Sequence, residues 1–148
     1  MLTKDELIRL KDATAKRLRS IDVLSYNLEK ADSRLSSYVR SCINNPNDHN
    51  LYELLSIARF FRFLDTYDFI MSEVRKFIVF YESLKFSGTK GKTRYKLTPI
   101  QVFQFANILG FYHTGTKKRV IREALLFVPR KFSKTTSVAS LAIYDLLF

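Results

Sequence analysis

Lys134 and Thr135 close a run, Val128-Pro129-Arg130-Lys131-Phe132-Ser133-Lys134-Thr135-Thr136, whose spacing is that of a phosphate-binding loop. The usual form is G-x-x-x-x-G-K-[ST]; here the Lys-Thr pair is kept, while Val128 and Ser133 stand at the two glycine positions. A helix opening just after such a loop offers free backbone amides to a phosphate. Lys134 in its first turn would set an ammonium against the β- and γ-phosphates, and the Thr135 hydroxyl would ligate Mg²⁺. Lys134 also fits a plain solvated lysine at a helix start. Ser133 carries a cost: if the position needs positive φ, serine there loses about 1 kcal/mol against glycine and weakens phosphate affinity.

The loop has to be held by a strand before it and a helix after it. Residues 120–128 read as a buried strand flanked by basic side chains, and 134–148 as an apolar helix. Upstream, Leu97-Thr98-Pro99-Ile100-Gln101 has the form of a helix start, with Thr98 as cap and Pro99 at the first helical position; that helix would carry Val102, Phe105, Ile108 and Leu109 and stop at Gly110. His113-Thr114-Gly115-Thr116 reads as a turn. Between Phe86 and Lys96, glycines and like charges predict an exposed linker, which divides the chain into a helical region 1–85, a basic linker 86–96 and a unit 97–148.

In the first region Thr3 and Glu6 form a T-x-x-E capping box, and Leu24, Leu28, Ala31, Leu35, Tyr38 and Cys42 recur on one helical face, so a helix is expected over 4–42. Asn44 to Asp48 is a turn cluster around Pro46. Two further helices are expected, at 50–63 and 66–85, the second with Ile70, Val74, Phe77, Tyr81 and Leu84 as its apolar stripe.

Composition and charge bound the function classes. A chain of 148 residues with 47% hydrophobic side chains is built like one globular domain or part of one. The single cysteine, Cys42, rules out an intrachain disulfide and is expected to be packed. Charges from Lys4 onward interrupt any early apolar run, and no apolar stretch approaches the ~20 residues of a membrane-spanning helix. A soluble intracellular protein without a secretory signal is therefore expected. The net charge of +11 is unevenly placed: residues 1–85 carry 14 basic and 12 acidic side chains, residues 86–148 carry 11 and 2. That excess predicts an anionic partner, nucleotide or nucleic acid, bound in a salt-sensitive way.

The order of these signals resembles the large terminase subunits of tailed bacteriophages, the ATP-driven motors that package DNA into procapsids. The resemblance runs over residues 66–148: the basic Gly-containing loop, Leu97-Thr98-Pro99-Ile100-Gln101, Ile108-Leu109-Gly110-Phe111, Arg119 to Ala124, then Val128-Pro129-Arg130-Lys131 and Lys134-Thr135. It implies a predominantly α-helical N-terminal region followed by the first strand, phosphate loop and helix of an incomplete α/β P-loop NTPase domain. ATP and Mg²⁺ would be the cofactors. Gln101 would recognise adenine, its amide both donating and accepting; Ile100 replaces the family's usual aromatic. Arg130 would act on the γ-phosphate in cis, a role suited to a permanently charged, two-pronged donor. Lys131, Ser133 and Thr136 complete the loop contacts around Lys134 and Thr135. Implied partners are double-stranded DNA, the portal protein, the small terminase subunit and further copies of the chain. The implied setting is the host-cell cytoplasm, with transient docking on the procapsid.

The family continues past its phosphate loop with paired acidic residues and a nuclease domain. In this sequence Asp145 is the acidic residue after Lys134, so an N-terminal fragment or interrupted gene product, inactive as an ATPase by itself, is expected. Two other readings remain open: a small basic helical nucleic-acid-binding protein with an accidental Lys-Thr loop, and a helical scaffold or assembly protein.

Overall fold

The computed structural model describes residues 2–88, 91–125, 128 and 133–148, and it is predominantly helical. Helix α1, Lys4–Arg19, starts on the expected capping box: the Glu6 amide donates to Thr3 Oγ at 3.3 Å and the Thr3 amide to Glu6 Oε2 at 2.7 Å. It does not run on to residue 42. Ser20 caps it, two short 3-10 turns follow at Val23–Tyr26 and Leu28–Lys30, and α2 occupies Ser33–Asn44. The reason lies in the polar residues spaced through the break. Asp22 accepts from the Leu24 amide, Asp32 accepts from the Arg34 amide, and Asn27 takes the left-handed conformation, φ 51°. Short side-chain oxygens of this kind bond locally to the backbone and compete with helix continuation. Leu28 and Ala31 are still buried, but Leu24, placed on the same stripe by periodicity, is exposed.

Helix α3, Leu51–Thr66, begins on a second capping box made by Asn50 and Glu53, and α4 spans Met71–Ser83. Strand β1, Asp68–Phe69, lies between them. The stretch read as a linker holds a hairpin of β2, Phe86–Gly88, and β3, Gly91–Thr93. Helix α5, Pro99–Leu109, starts as expected, with Pro99 first and Thr98 and Gln101 as a third capping box. Strand β4, Phe111–Tyr112, pairs antiparallel with β1 in the register Asp68 to Tyr112 and Phe69 to Phe111. Helix α6, Lys134–Leu147, ends the fold.

The core is aromatic. Phe60 of α3 meets Phe69, Phe103 and Phe111 at ring-centroid distances of 5.6, 5.3 and 5.4 Å, so α3, α5 and the small β1–β4 sheet close on one another. Gly110 is required there because a Cβ would overlap the Phe69 ring and the Ala106 carbonyl. On the other side Phe77 of α4 meets Phe105 at 4.5 Å and Tyr144 of α6 at 5.3 Å. One polar cluster ties these layers together. Arg34 of α2 donates to Asp32, to Glu82 of α4 at 2.5 Å and to the Leu97 carbonyl at 2.9 Å, while Glu82 also accepts from the Leu97 amide. The half-buried guanidinium thus joins α2, α4 and the segment entering α5.

Candidate functional site

Arg130 and Lys131 lie outside the described residues, so the loop is seen from Ser133 onward. Ser133 adopts φ 58° and ψ 25°, the left-handed conformation that the glycine of a phosphate loop supplies without strain. Its side chain makes no cap bond to α6, and among the described residues no side chain accepts from the first-turn amides. Its carbonyl already accepts from the Ser137 amide at 2.9 Å, the first turn of the helix. Lys134 and Thr135 are exposed, Thr136 is half-buried, and neither Lys134 nor Thr135 makes an ion pair or side-chain hydrogen bond among the described residues. These groups form an uncapped, positively polarised helix end with an ammonium and a hydroxyl beside it, which suits an anion.

Helix α6 is fixed at its other face. Tyr144 is buried against Phe77 and Phe80, Ser137 is buried and bonded to Tyr81, and Asp145 pairs with Arg119 at 2.8 Å. Asp145, the one acidic residue after Lys134, is thereby engaged at the far end of the helix.

The approach to the loop differs from the expected strand. Val120 donates to the Phe111 carbonyl at 2.9 Å and Arg119 bridges to Tyr112, but residues 121–125 and 128 belong to neither strand nor helix. Arg122, Glu123, Ala124 and Leu125 are exposed. A buried parallel strand needs a neighbour to take its backbone hydrogen bonds, and β4 offers only the short extension at Arg119.

Gln101 is placed by its helix. Its Oε1 accepts from the Thr98 amide at 2.9 Å and the Thr98 hydroxyl at 3.0 Å, and the residue is buried. The acceptor half of an adenine contact is thus occupied by the cap. Gln101 lines neither the groove beside α6, about 210 Å³ between Ile108, Val138 and Leu141, nor the larger groove of about 670 Å³ along α3 and α5.

Two groupings escaped the sequence reading. Around the Pro46 turn, His49 Nε2 lies 3.2 Å from Ser41 Oγ, and its Nδ1 lies 3.4 Å from Glu53 Oε1 and 3.6 Å from the buried Cys42 thiol. That is the order of a nucleophile, base and carboxylate. Ser41, however, sits inside α2, where its own amide and the next belong to the helix ladder and cannot serve an oxyanion. The group acts as a latch between the end of α2 and the start of α3. Burial pushes the Cys42 thiol up to about 11; burial also raises Glu53, but the Asn50 amide and His49 outweigh it and hold the carboxylate below its ordinary range. The second grouping brings Arg17, Arg59 and Arg62 to one cleft between α1 and α3. Charge counted along the sequence hides it, because acidic residues elsewhere in 1–85 nearly cancel it; the i, i+3 spacing of Arg59 and Arg62 was the available signal.

The fold and these sites define a small, basic, mainly helical protein with an exposed anion-receptive helix end. In comparison with known proteins, no family model matches the chain, and neither a curated protein nor a solved structure matches it. Among the described residues, no helix is long and apolar enough to cross a membrane.

Proposed function

We propose that the chain is the N-terminal portion of a terminase-like DNA-packaging ATPase, contributing ATP binding through the start of α6. The observation that supports this best is Ser133 in the left-handed conformation immediately before an uncapped helix that opens Lys134-Thr135. The glycine is missing from the sequence, but Ser133 holds the backbone shape that it would supply, which supports a phosphate-binding reading. Lys134 holds the β- and γ-phosphates, the amides after Ser133 bind phosphate oxygens, and Thr135 shares Mg²⁺ with phosphate and water. Arg130 and Lys131 complete the loop and Thr136 supports its first turn.

The readout is binding rather than turnover, because Asp145, the one acidic residue that follows Lys134 in residues 1–148, pairs with Arg119. The test is calorimetric titration with Mg-ATP. Lys134→Ala removes a charge-assisted contact worth about 1.5 kcal/mol and weakens binding about tenfold. Equal ATP affinity in both chains, or Lys134-dependent turnover, refutes the proposal. A second reading, a basic nucleic-acid-binding helical protein, is favoured by the 11 basic against 2 acidic residues of 86–148. In that case ATP is ignored by both chains while DNA binds in a steeply salt-dependent way.

A further inference from the structure

The cleft between α1 and α3 measures about 440 Å³ and is lined by Arg17 of α1 and by Tyr52, Ser56, Arg59 and Arg62 of α3, with no carboxylate among its lining residues. Arg59 and Arg62 are three positions apart and lie on one helical face. All three arginines are exposed, and none forms an ion pair among the described residues. The Arg59 guanidinium lies over the Phe63 ring, 5.9 Å from its centroid, a contact that leaves its charge unneutralised. Asp65, the nearest acidic residue in sequence to Arg62, accepts instead from the Tyr26 hydroxyl at 2.7 Å. Helix α1 carries further positive charge in Lys11, Lys16 and Arg19, which line a separate groove together with Asp12.

Like charges gathered in a cleft whose lining has no carboxylate cost stability, so their grouping points to an anion supplied from outside, while Glu53 and Glu123 line the neighbouring groove. Tyr52 narrows its identity. It is 75% exposed, its ring meets no aromatic partner among the described residues, and it lines both this cleft and the 670 Å³ groove beyond. Guanidinium groups in a row beside a free aromatic face are the two elements by which a single strand is held, phosphates on the cations and a base stacked on the ring. We propose that this cleft binds the phosphodiester backbone of single-stranded nucleic acid through Arg17, Arg59 and Arg62, with Tyr52 stacking on an adjacent base. The site shares no residue with the start of α6 and does not rest on the ATP reading.

The experiment is fluorescence anisotropy of a labelled oligothymidylate with the full chain over a salt series. Three phosphate contacts contribute about 2 to the slope of log affinity against log salt. The triple variant Arg17→Ala/Arg59→Ala/Arg62→Ala is expected to bind more than tenfold more weakly at about 50 mM salt, with a slope shallower by about 2. Lys117→Ala/Lys118→Ala, equally exposed and outside the cleft, sets the effect of charge removal alone. A triple variant that melts like the parent but keeps its slope, or loses no more affinity than the lysine variant, overturns the proposal. Tyr52→Ala is expected to weaken the oligothymidylate several-fold and leave duplex binding unchanged. Equal loss on duplex, or none on the single strand, overturns the single-strand assignment. Displacement of the oligonucleotide by polyglutamate at equal charge, with the same arginine dependence, shows a site for any polyanion and overturns it too.

Discussion

Ser133→Gly tests the loop geometry by separating its cost in folding from its cost in binding. Ser133 adopts φ 58°, is exposed, and makes no cap bond, so the substitution removes no burial and no hydrogen bond. Relief of the left-handed strain is worth about 1–2 kcal/mol, and the greater freedom of glycine in the unfolded chain takes back about 0.5–1 kcal/mol. The net gain is about 0.5–1 kcal/mol, or roughly 1–4 °C in melting temperature for a chain of this size. Ser133→Val, which adds a β-branch at the same φ, is expected to move the melting temperature downward. Nucleotide affinity behaves differently. If the left-handed conformation is already present before ATP arrives, the strain is common to free and bound states and cancels, so Ser133→Gly leaves affinity within about twofold. This inverts the expectation that serine at this position weakens phosphate binding. Thermal melts followed by circular dichroism and Mg-ATP calorimetry read the two quantities. A lowered melting temperature refutes the strain argument. An unchanged melting temperature with about fivefold tighter ATP binding means that the left-handed turn forms only with ligand.

Two further substitutions probe the scaffold. Arg34→Met leaves the half-buried carboxylates of Asp32 and Glu82 without their guanidinium; allowing for their partial exposure, the loss is about 2 kcal/mol, or about 4–8 °C in melting temperature. The Arg34 guanidinium holds Asp32 below the usual carboxylate range, so this stability is present above the unfolded carboxylate range near pH 4 and is lost as pH falls through the depressed value. Urea midpoints between about pH 2 and pH 6 should therefore fall more steeply in the parent than in Arg34→Met, and parallel profiles count against the cluster. Tyr144→Phe removes the one buried side-chain oxygen that lacks a partner among the described residues, while keeping the ring against Phe77 and Phe80. It is expected to be neutral or to stabilise by up to about 1 kcal/mol, and a clear loss on melting would show that the hydroxyl is satisfied in solution.

Some local signals were legible where side chain and backbone are bonded within one turn. The Thr3-Glu6 capping box, the Thr98 cap, the Pro99 start and the Gly110 stop all follow from residues three or fewer apart, whereas the Asn50-Glu53 box and the bond from Thr98 to Gln101 emerged in the structure. The break between Arg19 and Ser33 was hidden because Leu28, Ala31 and Leu35 keep helical spacing while Asp22, Asn27 and Asp32 compete for the backbone. The segment after Arg119 carries a strand's composition, yet composition cannot supply the neighbour that a ladder needs. At the candidate site, the chemistry of Lys134 and Thr135 was readable, but the left-handed turn at Ser133 was not, since serine argues against it. The arginine cleft required α1 to pack along α3, a contact that no window of sequence contains.

The two cationic loci divide what the net charge of +11 had merged. Charge at the start of α6 acts through an ammonium and oriented amides at one point, which suits a compact triphosphate. Charge in the α1–α3 cleft is spread over three guanidinium groups beside an aromatic ring, which suits a chain of phosphates. A salt series on nucleic acid alone would blend both, because the basic stretch 86–148 adds its own counterion release. Their separation therefore depends on residue identity rather than on ionic strength: Lys134 reports on ATP, and Arg62 reports on the strand. The loci share no side chain, and α4, α5 and α2 are the packed elements between them. If ATP changes the affinity for nucleic acid, linkage requires nucleic acid to change the affinity for ATP by the same factor.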